Sequence, residues 1–127
     1  MISRSHPYRL SRKEFSLGKN RNYQYVYRRG KSFPSHTMVL VYAPGKDLRV
    51  GFSASSKVGN AVTRNRVRRV MKEDFRMLRP SLKEGKYIFV ARVCAGGAPH
   101  GALTANMRAL VVRAGLMKEA ATVNEEK

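Results

Sequence analysis

Residues 64–72 read Arg-Asn-Arg-Val-Arg-Arg-Val-Met-Lys, five cations and one amide within nine positions. Guanidinium groups grip phosphate through planar, bidentate pairs of N–H donors, so Arg64, Arg66, Arg68 and Arg69, with Lys72, suit a phosphodiester backbone. Asn65 both donates and accepts, which a phosphate does not require but a base edge or ribose hydroxyl would use. Tyr23 and Tyr27, four residues apart, offer rings on which unpaired bases can stack. The same spacing, with Val26 between them, also suits a stripe of core aromatics, and the residues alone leave both readings open. Hydrolytic chemistry has no comparable constellation. Cutting a phosphodiester takes clustered carboxylates for metal ions or an acid–base pair, commonly histidine. His6, His36 and His100 fall in separate loops or strand edges, and the eight acids are mostly isolated. No catalytic residue and no metal ligand is expected, and the histidines read as surface residues.

The basic run needs an element to present it. Residues 60–78 follow Gly59 and stop before Pro80, whose ring disfavours helical geometry at Arg79. At 100° per residue, Val67, Val70, Met71 and Leu78 fall on one side with Phe75 near its border. Asn65, Arg68, Arg69, Lys72 and Arg76 fall on the other, so a long amphipathic helix is predicted. Asp74 lies inside the apolar face, where a carboxylate needs a basic or hydroxyl partner. A shorter helix over 20–29 starts at Asn20, a candidate cap, and closes at Gly30. Residues 37–43 and 48–55 are β-rich runs joined by Pro44-Gly45-Lys46-Asp47, which predicts an antiparallel hairpin. Phe33 suits a small strand before Pro34. Residues 86–93 are nearly all apolar and predict a strand covered on both faces. A Gly/Ala/Pro-rich loop over 95–102 leads to a last helix from Leu103 to about Leu116. Cys94, the single cysteine, excludes an internal disulfide and reads as a small buried hydrophobe at a strand end.

The 127 residues suffice for one ordinary core. Against 8 acids stand 26 Lys and Arg, a formal net charge of +18, so the partner is expected to be a polyanion. Residues 1–79 hold +15 of that charge, which places the binding surface in the first two-thirds. No apolar run approaches a membrane span and the start lacks an apolar signal region, so a cytoplasmic protein is expected. Residues 1–18 read as a flexible basic arm, 19–117 as a single RNA-binding domain and 118–127 as a disordered tail.

The stretch from Ser56-Lys57-Val58-Gly59-Asn60 through Arg64-Asn65-Arg66 to Arg69, continuing to Lys72 and Phe75, resembles the signature of the bacterial ribonuclease P protein. Arg49-Val50-Gly51-Phe52-Ser53 looks like that family's preceding strand, and the similarity extends over Tyr23 to Phe33 and the order of elements to about residue 116. Asp74 departs from the family's usual small residue, and residues 1–17 do not align convincingly. The resemblance implies a protein subunit that binds the catalytic RNA and the 5′ leader of precursor tRNA and assists RNA-catalysed removal of the leader. It implies that Lys57, Arg64, Asn65, Arg66, Arg68, Arg69 and Lys72 contact RNA and that Tyr23 and Tyr27 line a leader cleft, with either Tyr42 or Val41 facing it. Mg²⁺ would be bound mainly by the RNA, with no cofactor on the protein and no obligate protein partner.

The expected architecture is α+β: a two-layer α/β sandwich with a mostly antiparallel sheet of about four strands and three helices. The resemblance adds a left-handed crossover in the strand–helix–strand unit. A ribosomal protein or RNA chaperone would share the charge but would not need a base-stacking cleft. A helix-turn-helix DNA binder fits less well because strands flank the basic helix. A self-sufficient nuclease would be the enzymatic rival.

Overall fold

The computed structural model describes residues 16–18 and 20–118. Their order is α1 (Asn20–Arg29), β1 (Lys31–Pro34), β2 (Met38–Ala43), β3 (Leu48–Ser53), α2 (Ala61–Leu78), β4 (Gly85–Ala91) and α3 (His100–Arg113). Among the described residues, three α-helices and a four-stranded mixed sheet make an α+β fold. The sheet runs β1-β2-β4-β3, with β1/β2 and β2/β4 antiparallel and β3/β4 parallel.

The hairpin expected from residues 37–43 and 48–55 does not form. Both strands pair with β4, which lies between them. In β4, Tyr87, Ile88 and Phe89 are all fully buried. A strand apolar on both faces cannot sit at a sheet edge, and its late position in the chain hides this from local turn signals. Pro34, which cannot donate to a ladder, ends the edge strand β1 as that constraint requires.

Side chains alternate across the sheet. On one face Met38, Leu40, Tyr87 and Phe89 meet Val67, Met71 and Phe75 of α2 and Leu103, Met107 and Leu110 of α3 in the main core. Phe75 packs edge-on against Phe52, Tyr87 and Phe89 at ring-centre distances of 6.0, 5.4 and 5.6 Å. Each such aromatic pair adds about 0.5–1.5 kcal/mol beyond its buried area. On the opposite face α1 covers a smaller cluster of Leu17, Val26, Val41, Ala43 and Ile88.

Three further expectations change. Residues 16–18, assigned to the arm, belong to the folded unit: Ser16 bridges to Val50, the Leu17 N–H donates to the Val50 carbonyl at 3.1 Å, and Leu17 is buried. The rest of the expected arm and residues 119–127 of the expected tail lie outside the described residues. Cys94 is exposed rather than buried, because residues Val93–Gly97 leave the sheet as a 3₁₀ turn; its thiol donates to the His36 carbonyl at 2.7 Å. The last helix starts at His100 and ends at Arg113, and Leu116 reaches the core from the turn that follows. Among the described residues no helix is long and apolar enough to cross a membrane.

Candidate nucleic-acid interface

Helix α2 begins where Asn60 accepts the Thr63 N–H on its side-chain oxygen at 2.9 Å, satisfying a donor that a helix start leaves free. Val67, Met71 and Phe75 are fully buried against the sheet, so burial of one stripe fixes the opposite side as the solvent face. Asn65, Arg69 and Lys72 are exposed there. The remaining arginines are half-buried and grip carbonyls on two flanks. Arg68 donates to the Asn65 side-chain oxygen at 2.6 Å and reaches the Ala54 carbonyl just past β3, while Arg64 donates to the Gly59 carbonyl at 3.2 Å. Arg66 turns the other way and donates to the Ala98 carbonyl before α3 at 3.1 Å. The cations therefore form a ridge with two sloping sides instead of one flat face.

Among the described residues, acids do not neutralise this ridge. Glu73 is taken by Arg76 at 2.6 Å. Asp74 turns inward, 9% exposed, where the Thr104 hydroxyl lies 3.0 Å from both carboxylate oxygens and His100 Nε2 lies 3.3 Å away. Sequence phase placed Asp74 on the buried side and required a partner. The structure supplies a hydroxyl and an imidazole from α3, so His100, expected as a plain surface residue, is exposed but engaged.

The second part of the site lies across the sheet. Helix α1 runs over the row Gly51, Ile88, Val41, with the Tyr23 phenol directly on Gly51. Only glycine allows that approach, and a glycine inside a strand is the sequence signal of one. Tyr23 is half-buried and Tyr27 is 49% exposed. Their hydroxyls are pushed above the usual tyrosine range by burial, and Tyr27 further by its neighbour Tyr23. Beyond the rings, toward the start of β2 and the ends of β3 and β4, Val39, Ser53 and Val90 are only partly covered on the same face. These residues outline a candidate groove, with the rings as its wall and an apolar and hydroxyl strip of the sheet as its floor. Sequence reading did not single out Val39, Ser53 and Val90, since their shared face depends on the β2/β4/β3 register.

Strand alternation decides between Tyr42 and Val41. Val41 lies beneath α1 with Tyr23, while Tyr42 faces the main core, edge-on to Tyr87 at 5.0 Å, and donates to the Glu84 carbonyl at 2.6 Å. Groove and ridge meet at the end of β3. Ser53 is in the groove floor, Ala54 holds Arg68, and exposed Lys57 follows before α2. Among the described residues no group of three or more His, Cys, Asp or Glu side chains is placed to hold a metal ion.

Residues 11–115 match the family model described as Ribonuclease P. A ribonuclease P protein component from Nitratiruptor sp. is 43% identical over 98 residues, spanning 77% of this chain and 90% of the relative. One from Clostridium kluyveri is 38% identical over 109 residues, 82% and 97% of the two chains. Among solved structures, a ribonuclease P protein from Staphylococcus aureus superposes with a TM-score of 0.75 at 26% identity, covering 87% of this chain and 97% of the other. That from Thermotoga maritima, at 21% identity and a TM-score of 0.67, covers 83% and 96% and shares the fold.

Proposed function

The chain belongs to the ribonuclease P protein family, a subunit of a tRNA-processing ribonuclease and a partner of ribonuclease P RNA; from that premise we propose how its two surfaces divide the work. The α2 ridge, through Arg64, Asn65, Arg66, Arg68, Arg69 and Lys72, binds the catalytic RNA. The groove of Tyr23 and Tyr27 takes the single-stranded 5′ leader of precursor tRNA, and Lys57 stands where the two RNAs adjoin. One observation carries this reading: the end of β3 connects groove and ridge without a break, from Ser53 through the Arg68-bound carbonyl of Ala54. A strand leaving the catalytic RNA's surface can enter the groove directly.

Stacking on the rings tolerates any base, which suits a subunit that meets many leaders. The guanidinium contacts already made to protein carbonyls leave N–H donors on each fork for phosphate and hold the side chains in place beforehand, which lowers the ordering cost of binding. Hydrolysis falls to the RNA subunit in this reading, and so does Mg²⁺, because the residues assigned to ridge and groove include no carboxylate and do not fit a metal. No cofactor on the protein and no obligate protein partner is needed, and we place the complex in the cytoplasm.

The test is cleavage of precursor tRNA by the purified chain, by a bacterial ribonuclease P RNA, and by both. Cleavage at the mature 5′ end that requires the RNA and is stimulated by the chain is expected. Cleavage by the chain alone would overturn the assignment of chemistry to the RNA.

A further inference from the structure

Helix α1 carries a third tyrosine on the flank that the leader groove does not use. Tyr25 is rotated by 200° from both Tyr23 and Tyr27 at 100° per residue. It lies 39% exposed toward the start of β4, with the Lys86 ammonium 4.8 Å from its ring centre. Lys86 is paired across the sheet with Ala43 and Arg49, and it points to the α1 side because its neighbour Tyr87 points to the main core. Arg21 and Arg29, one helical turn before and after Tyr25, are both exposed on the same flank. No acid occurs anywhere in α1. Among the described residues the Lys86 ammonium has no carboxylate within ion-pair distance; its partner is the ring.

A solvated helix flank would need none of this alignment. An exposed ring with cations above, before and after it matches a nucleotide strand, one base on the ring and phosphates at about the spacing of a helical turn. The charge calls for a polyanion and the ring for an unpaired base, so the occupant is single-stranded RNA. Only the body of α1 separates this flank from the Tyr23/Tyr27 groove, a width of about 10 Å. We propose that the distal part of the 5′ leader, upstream of the nucleotides in the groove, crosses α1 and binds to Tyr25, Lys86, Arg21 and Arg29. This rests on the groove being the leader site.

The experiment measures the affinity of reconstituted holoenzyme for mature tRNA and for two precursors. One leader is trimmed to the groove and the other extends beyond it. For the wild type, extension is expected to tighten binding. Tyr25→Ala should remove about fivefold or more of that gain, the low end for one stacked base, and Lys86→Gln should remove part of it. Tyr25→Phe, which keeps the ring, should retain it. Short-leader and mature tRNA affinities should not move, and because Val26 rather than Tyr25 holds α1 to the sheet, the fold should persist by circular dichroism. An unchanged gain in folded Tyr25→Ala, or no gain on extension in the wild type, would overturn the proposal. Equal loss on all three RNAs would place catalytic RNA on this flank and overturn it as well. Failure of the groove reading is told apart, since Tyr23→Ala would then leave the short-leader affinity intact.

Discussion

The phenol of Tyr23 occupies the space a side chain on Gly51 would need: a Cβ built there falls 2.2 Å from the hydroxyl oxygen and 2.5 Å from Cζ. The height of the groove wall is therefore set by a missing methyl group on β3. Both contacts are with the far end of a side chain, so Gly51→Ala should lift the ring and leave the β3/β4 pairing in place. The expected outcome is a lower ratio of precursor to mature tRNA affinity in the holoenzyme, by about 1 kcal/mol if one stacked base is lost. In a Gly51→Ala background, Tyr23→Ala should cost little more, since both changes remove the same contact. Additive losses would show that the ring and the glycine act separately.

On the ridge, Arg69 and Lys72 are exposed, whereas Arg66 and Arg68 also hold carbonyls of neighbouring segments. Arg69→Ala/Lys72→Ala should weaken binding of ribonuclease P RNA without loss of stability. Its log affinity against log salt should flatten by roughly 0.7–0.9 per contact removed. Arg68→Ala should flatten the slope and lower the thermal midpoint too. The check is a salt titration of RNA affinity beside a melting curve; an unchanged slope in the double variant would remove both residues from the phosphate contact.

How much of this was legible in the sequence follows from the range of the interactions involved. The α2 boundary, its buried stripe and the inward turn of Asp74 came from local periodicity and capping, which act within a few residues. The place of β4 between β2 and β3, the exposure of Cys94 and the docking of Leu17 are settled by contacts between distant segments. No turn or propensity signal encodes those. The two tyrosines fall between these cases. Helical spacing put Tyr23 and Tyr27 on one side of α1, but half-burial of one and exposure of the other depends on Gly51 and on how far α1 covers the sheet.

Asp74 lies beneath α3 with the Thr104 hydroxyl and the His100 imidazole as its polar partners. Removing one member of a buried hydrogen-bonded set leaves the others undersatisfied, at about 1–3 kcal/mol. Asp74→Ala and Thr104→Val should each lower the urea midpoint by amounts in that range. The double variant should cost less than the sum of the two. A stabilised Asp74→Ala would mean that the carboxylate is a burden on the core rather than a tie between α2 and α3.

Tyr87 predicts a loss of stability in alkali. Its hydroxyl, donating to the Lys83 carbonyl at 2.6 Å, is held far above the usual tyrosine range by burial first and by Tyr42 second. In the unfolded chain the group ionises near pH 10. Above that point the unfolded state binds fewer protons than the native state, so stability falls as pH rises; below it the contribution is whole. Urea midpoints measured between about pH 8 and pH 11 should drop for the wild type and drop less for Tyr87→Phe. Parallel curves would show that another group governs the alkaline limit.

Tyr27 and Tyr42 should separate recognition from folding, because strand and helix phase put them on opposite sides of the sheet. Tyr27 is 49% exposed at the groove, and truncating it uncovers little core. Tyr42 faces the main core, touches Tyr87 edge-on and donates to the Glu84 carbonyl. Tyr27→Ala should therefore lower the ratio of precursor to mature tRNA affinity, by about 1–3 kcal/mol for one stacked base, at an unchanged unfolding midpoint. Tyr42→Ala should do the reverse: a clear loss of stability, about 3–5 kcal/mol if it behaves as a large-to-small core change, with the ratio kept under conditions where the protein is folded. Mature tRNA has no leader, so a contact made to the leader must show in the ratio, and a contact made to the core cannot. A Tyr27→Ala variant that unfolds early and keeps its ratio would return this tyrosine to the core and move the leader path off α1.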